Sequence, residues 1–459
     1  MSRAAPAAIP ELDGDVGTFL AEQRLWRRGV RLLVDNWAGS YTVPSRTLYP
    51  HQWSWDSAFV TMGLAPWAQR RAQLELHSLF SAQWEDGRVP HIVFSAEVPL
   101  EAYFPGPDFW RSDRVAASPA ARTSGIVQPP VHARAAWEVY LRGADRKRAR
   151  EFLSRIYPGL AAYHRYLADR RDIGGHGLAA IVHPWESGLD NSPAWDEPLG
   201  RVAAASGALE AYVRRDLAHA AENERPTDAD YARYVALASS YRDSGYCDDD
   251  LAGRHGFLVE DPLFNTVYAW SERALAEIAA VTGADPRPHE HRAALLTEAL
   301  RTRLYDPGTG LFLARDLHTG TLIRARSVAG LTPLILPDLP GALARSLIAQ
   351  ACSPHFGIDD GGLLPSFDRT AAAFDKRRYW RGPAWVNLNW LIWQGLLEHG
   401  RTDLADVLRA GMLRAASRWG YREYFDPVDG TGCGSRDFSW SAALTLDLLS
   451  AARRRSVAA

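Results

Sequence analysis

The strongest constraint on this chain is a long succession of amphipathic segments of helical length, joined by links of two very different kinds. In 19–37 the apolar residues Phe19, Leu25, Val30, Leu33 and Val34 recur at helical spacing. Leu160, Tyr163, His164 and Leu167 do the same, as do Phe264, Tyr268, Leu275 and Ile278. The pattern predicts further helices over 66–84, 130–143, 200–220, 228–242, 287–304, 340–350, 383–398, 402–416 and 437–453. Thr227 ahead of Asp228 and Asp230, and Pro383, mark helix starts. Pro158-Gly159 should kink or split the helix around it. Strand signals are sparse: 311–315 and 322–324 flank His318-Thr319-Gly320 as a surface hairpin. Some links are tight, such as Arg225-Pro-Thr227 and Gly283-Ala-Asp-Pro286. Others, over 85–128, 172–199, 353–381 and 418–436, are long and rich in Gly, Pro and aromatics. Helical hairpins set in a ring account for this alternation, with short links on one face and a site built by long loops on the other. An α-solenoid is the competing arrangement, but no repeat of fixed period is visible. One domain is expected, with mobile ends at about 1–12 and 452–459 and a loop insertion at about 85–128. The turns Tyr305-Asp-Pro-Gly-Thr-Gly310 and 425–432 are expected to share turn chemistry rather than mark a repeat.

Those long loops hold two aromatic-flanked acids. Asp190 lies in His183-Pro-Trp-Glu-Ser-Gly-Leu-Asp-Asn191, with Trp185 and Trp195 on either side, and Glu423 lies in Tyr421-Arg-Glu-Tyr-Phe425. Two carboxyls among flat rings suit glycoside hydrolysis, in which one protonates the leaving oxygen while the other activates water or attacks. Gly188 relaxes the first loop, and Asn191 and Ser192 supply polar partners. Desolvation there would keep an acid protonated. The plainer readings are a capping or Asx-turn role for Asp190 and a surface pair with Arg422 for Glu423. Glu186 and Asp196 are rival acids beside Asp190, and Asp426 looks like a turn former.

Seventeen tryptophans make the chain unusual. Trp53 with Trp55, Trp185 with Trp195, and Trp380 with Trp385 sit beside acids, Gly and Pro, where a sugar ring could stack. Trp390 and Trp393, three apart on a helix, read as packing. Tyr49-Pro-His-Gln-Trp-Ser-Trp-Asp56-Ser57 combines rings with Asp56, which can accept hydrogen bonds from hydroxyls or cap the following helix. His91 and Gln128 are further loop contacts. The formal net charge of −2 gives no whole-molecule field for nucleic acid or an anionic membrane, and no apolar run approaches a membrane span. Cys247, Cys352 and Cys433 form neither a disulfide framework nor a metal motif. No metal or cofactor is expected: there is no P-loop, no Gly-x-Gly-x-x-Gly and no nucleophile elbow, and Asp248-Asp249-Asp250 reads as a solvated loop. The N-terminus lacks the apolar core of a secretory signal, so a cytoplasmic location is expected.

Gln52-Trp-Ser-Trp-Asp56-Ser, Gly125-Ile-Val-Gln-Pro-Pro130, Trp185-Glu-Ser-Gly-Leu-Asp190-Asn-Ser and Tyr379-Trp-Arg-Gly-Pro-Ala-Trp385 together resemble glycoside hydrolase family 63, specifically its hexosylglycerate hydrolases. The resemblance runs from about residue 35 to 450. It implies an all-α (α/α)6 barrel and inversion at the anomeric carbon, with Asp190 as acid and Glu423 as base. The implied substrate is a small sugar-glycerate, glucosylglycerate or mannosylglycerate. Trp53, Trp55, Asp56, Gln128, Trp185, Trp380 and Trp385 would hold the sugar. Arg225 and Tyr231 would meet the glycerate carboxylate, with Tyr103 brought in by the long loop. Arg225 also reads as an ordinary residue ahead of a helix, although an Arg suits a small carboxylate through paired hydrogen bonds. The rival activity is a trehalase-like or oligosaccharide α-glucosidase, which needs no cationic anchor. A carbohydrate-binding protein on a degenerate barrel is the rival from another class. A homo-oligomer stays open.

Overall fold

The computed structural model describes residues 13–204 and 224–458. The helix expected over 200–220 lies outside the described residues from 205 on, as does the N-terminal end at 1–12. The long helices are α1 (Asp13–Asp35), α2 (Ser54–Leu64), α3 (Gln69–Phe80), α4 (His132–Arg142), α5 (Arg146–Arg170), α6 (Asp228–Asp243), α7 (Pro262–Thr282), α8 (Arg287–Arg303), α9 (Gly341–Cys352), α10 (Val386–Glu398), α11 (Thr402–Trp419) and α12 (Ser439–Ala458).

Their packing closes a circle. α2 packs on α4, α4 on α7, α7 on a 3-10 segment (Val328–Ile335), that segment on α10, α10 on α12, and α12 back on α2. An outer layer covers this ring: α3 lies on α2, α5 on α4, α8 on α7, α9 on the 3-10 segment, α11 on α10 and α1 on α12. The fold is therefore an (α/α)6 barrel. Sequence pattern explains which helix goes where. Every residue of α2 is buried, and α7 and α10 are apolar on nearly all sides, so each must be enclosed. α3 buries only Ala72, Glu75, Leu76 and Leu79, and α11 only the stripe from Leu404 to Ala416, the one-sided pattern of an outer layer. Close contact needs small residues: a Cβ at Gly63 would strike the α12 backbone at Ala443, and one at Gly395 would lie 2.6 Å from Leu334. The eight-residue 3-10 segment is an inner member that helical spacing missed. Pro333 interrupts its pattern, and Ser327 caps it by accepting from Ala329 N.

Three expectations need correction. α5 runs on through Pro158, so the helix is not split there, and the proline's missing donor costs one ladder bond. Gly159 beside it packs against Phe80, and its carbonyl accepts from Gln83 Nε2 at 2.9 Å, so tertiary contact carries the helix past. Leu311–Phe312 pairs backward with Tyr305–Asp306, and only 314–316 reaches forward to 321–323. The cause is the turn between them, closed by Asp306 accepting from Thr309 N at 2.9 Å. The similar turn at 425–432 joins Tyr424–Phe425 to Gly432–Cys433, with Asp426 accepting from Val428 N. Asp248 is not solvated: its side chain is 3% exposed and receives bonds from Tyr166 and Tyr241 between Arg88 and Arg171. Its neighbours Asp249 and Asp250 are exposed.

Candidate active site

Short strands draw the long loops together over one end of the ring. Gln52–Trp53 pairs antiparallel with Ile92–Val93, and Ser54 N donates to the His91 carbonyl at 3.0 Å. This sets His91 beside the start of α2, whose first turn carries Trp55 and Asp56. Gln128 Oε1 accepts from Trp55 N at 3.1 Å. A bridge between Ala384 and Phe425 ties the segment of Trp380 and Trp385 to that of Glu423. The result is one cavity lined by Trp53, Trp55, Asp56, His91, Tyr103, Gln128, Trp185, Asp190, Arg225, Tyr231, Trp380, Trp385 and Glu423.

The two acids meet different surroundings. Asp190 follows a 3-10 turn, Pro184–Ser187, capped by His183, and Gly188 then reverses the chain at φ 74°. A Cβ on Gly188 would strike the Trp55 ring, so this glycine is needed both for its conformation and for the approach. Asp190 is half-buried and lines the cavity. Burial raises its carboxyl to about 7, against the opposing pull of a 3.3 Å bond from Tyr379 OH and of the Arg225 charge. Glu423 is 1% exposed and ringed by donors. Tyr49 OH donates to it at 2.8 Å, Ser435 N at 2.8 Å, and Arg225 through Nη2 at 2.8 Å and Nη1 at 3.3 Å. Asp56, the third acid of the cavity, is pushed well above its ordinary value by burial, and Glu423 and Asp190 add to the effect.

The rings are arranged rather than loosely gathered. Trp380 and Trp385 stack face to face at 3.7 Å and 5°. His91 lies parallel to Trp185 at 6.2 Å, and burial holds its imidazole down at about 3, in the neutral form. Tyr103 stands edge-on to Trp53 at 5.2 Å, and Tyr231 OH donates to the Phe104 carbonyl at 3.1 Å. Arg225 lies over the Tyr379 ring at 4.8 Å. Its fork is directed at Glu423, a pairing that neither spacing nor the resemblance had indicated.

Two expected contacts lie off the wall. Asn191 is buried and is not among the lining residues; its Oδ1 accepts from Trp380 N at 2.9 Å, which holds the backbone of the Trp380 segment. Trp195 donates to the Leu189 carbonyl at 2.7 Å and packs edge-on against Phe257, within the core. Glu186 is wholly buried against Arg171, and Asp196 pairs with Arg381 outside the cavity. Residues not singled out also line the cavity: Tyr49, Tyr379, Phe104, Tyr234, Phe438 and Trp440. Tyr49 and Tyr379 lie inside the aromatic segments quoted above, and Tyr379 adopts φ 42°, a strained setting for a bulky residue that no sequence pattern reveals. Among the described residues no His, Cys, Asp and Glu cluster could hold a metal, and no helix is long and apolar enough to cross a membrane.

Known proteins share this arrangement. The family model described as mannosylglycerate hydrolase MGH1-like glycoside hydrolase domain matches residues 49–441. A mannosylglycerate hydrolase of Rubrobacter radiotolerans is 41% identical over 90% of this chain and 94% of its own. A glucosylglycerate hydrolase of Mycolicibacterium hassiacum is 38% identical over 93% of this chain and 98% of its own. The solved GH63 mannosylglycerate hydrolase of Thermus thermophilus, in complex with Tris and D-glycerate, is similar with a TM-score of 0.86. It is 40% identical, over 92% of this chain and 99% of that one. With a barrel of the same form and two carboxyls facing one aromatic cavity, the chain belongs to the MGH1-like glycoside hydrolases of family 63.

Proposed function

We propose that this enzyme is a single-domain, inverting hydrolase that cleaves the α-linked hexose, glucose or mannose, from D-glycerate. The observation that carries the reading is the convergence of Asp190 and Glu423, more than two hundred positions apart, on one aromatic cavity beside the buried cation Arg225. Asp190, protonated below about 7, gives its proton to the glycosidic oxygen as the bond to the anomeric carbon breaks. Glu423 takes a proton from a water that attacks this carbon from the opposite face. The products are the free hexose with inverted configuration and glycerate. Trp53, Trp55, Trp185, Trp380 and Trp385 hold the ring, and Asp56 and Gln128 take its hydroxyls. Arg225 and Tyr231, with Tyr103, face the glycerate end. The names of the relatives support this substrate class. The pairing of Arg225 with Glu423 gives that arginine a second task, so its presence alone does not separate a sugar-glycerate from a neutral disaccharide. Three free thiols, Cys247 exposed among them, fit the reducing cytoplasm as the place of action.

Steady-state assays on glucosylglycerate, mannosylglycerate and trehalose, with the released anomer followed by NMR, test the reading. Hydrolysis of a sugar-glycerate with inversion is expected, abolished in Asp190→Ala and Glu423→Ala while ligand still binds. Retained configuration, or near-normal turnover in either variant, overturns it.

A further inference from the structure

The acid most easily mistaken for a catalytic one, Glu186, does something else. Its side chain is fully enclosed, and each oxygen accepts two N–H bonds from different parts of the chain. Oε1 receives Val127 N at 3.1 Å and Arg171 Nη2 at 2.9 Å. Oε2 receives Val182 N at 2.8 Å and Arg171 Nη1 at 2.8 Å. Val127 immediately precedes Gln128, whose side chain in turn holds Trp55 N. Val182 leads into the turn that bears Trp185 and, four positions after Glu186, Asp190. Arg171 is anchored from behind by Asp248 at 3.2 Å and Tyr166 at 2.9 Å. Asp248 also meets Arg88, which donates to the Gly125 carbonyl at 2.9 Å in the Gln128 loop.

We propose that Glu186 is a positioning residue for the hydrolysis: its buried carboxylate clamps the loop of Asp190 to the loop of Gln128, with the Arg171 fork as the rigid back of the clamp. The proposal rests on the assignment of Asp190 as proton donor. Valence sets the requirement. All four N–H groups donate, so the clamp works only with two accepting oxygens. In Glu186→Gln the amide group has one oxygen and one NH2. Whichever way it turns, the NH2 confronts one backbone N–H and one guanidinium N–H, and one of the two loops is released. A shift of about 1 Å at the reacting groups is worth roughly 100-fold in rate. The glycerate end, at Arg225 and Tyr231, takes no bond from Glu186 and is left in place.

The test compares kcat with the inhibition constant of D-glycerate in Glu186→Gln, Glu186→Asp and Asp190→Asn. Glu186→Gln is expected to lose roughly 100-fold in kcat while the D-glycerate constant changes less than about threefold. Glu186→Asp, which keeps two accepting oxygens but is one methylene shorter, should recover part of the rate. A parallel fall in kcat and in D-glycerate affinity would mark a merely structural residue and overturn the proposal. So would an unchanged kcat. If Glu186→Gln does not fold, Glu186→Asp carries the test: its carboxylate is one methylene too short to hold Val127 N, Val182 N and the Arg171 fork together, and an unaltered kcat there refutes the clamp. Asp190→Asn separates the two levels: activity in that variant removes the proton donor itself, whereas an inactive Asp190→Asn beside a fully active Glu186→Gln removes only the clamp.

Discussion

Replacing Tyr379 with Phe isolates one hydrogen bond on Asp190, the proposed proton donor. The Tyr379 hydroxyl donates to Asp190 Oδ2 at 3.3 Å, whereas its ring packs on Trp385 at 5.2 Å and lies under Arg225. Phe keeps the ring and removes the hydroxyl. Donation to a carboxylate favours the charged form, so its loss raises the Asp190 carboxyl above its present value of about 7. A hydrogen bond is worth about 0.5–1.5 kcal/mol net, and one at the long end of the range belongs near the lower figure, which converts to about 0.4 pH unit. If Asp190 is the donor it must be protonated to act, so kcat/KM is expected to fall as pH rises through about 7 in the native enzyme, roughly tenfold per unit beyond it. In Tyr379→Phe this limb moves upward by about 0.4 unit, and at pH 8 the variant retains roughly twice as large a share of its own maximal rate. The measurement is kcat/KM from pH 5 to 9 in buffers of constant ionic strength. A limb that stays where it was, or moves down, refutes the assignment of Asp190 as a donor held neutral by burial.

Other perturbations address other parts of the site. Arg225→Met leaves Glu423 enclosed without its cation, and breaking a buried pair of this kind costs about 3–5 kcal/mol, measurable by urea unfolding. Loss below about 1 kcal/mol would mean the pair is not coupled. Gly188→Ala forces a Cβ into the Trp55 ring at a left-handed position, and kcat should drop roughly 100-fold as the Asp190 loop shifts. A wild-type rate would show the loop has room to spare. Glu75, wholly buried and bonded by Thr42 and Ser57, is raised from 4.5 to about 7 by burial. A raised carboxyl contributes stability that is present below the unfolded value and lost as pH climbs through the folded one. The span is worth about 3 kcal/mol. Glu75→Gln should therefore flatten the decline of stability between pH 4.5 and 7, and an unchanged slope in urea titrations would count against it.

Much of the barrel was legible because helix signals are local. The Thr227 start appears as a full capping box with Asp230, and the one-sided stripes of α3, α5 and α11 lie where the period put them. What escaped the sequence depends on contact between distant segments. Leu311–Phe312 has strand character in either direction, and only the turn geometry at Asp306 selects its partner. The 3-10 segment at Val328–Ile335 is apolar but for Thr332 and is interrupted by Pro333, so it has no helical period to read. Asp248 stands in a run of three acids, and its burial follows from Arg88 and Arg171, which the chain places 160 and 77 positions earlier.

The same limit governs the site. That rings and acids cluster in the long loops is visible in the sequence, but which ring faces the cavity is decided behind it, as Asn191 and Trp195 illustrate. The division of labour between the two acids is likewise a property of their surroundings. Asp190 receives a long phenol bond, but desolvation is the larger effect and favours holding a proton. Glu423 is met by a guanidinium, a phenol and a backbone amide, all donating to its two oxygens. Arg225, 198 positions before Glu423, creates that asymmetry. If the arginine only anchored glycerate, the chain could carry it anywhere near the mouth of the cavity. In the proposed reading, its fork against Glu423 couples recognition of the substrate's acid end to the water-activating residue, because a carboxylate arriving at Arg225 must share a cation that Glu423 already holds.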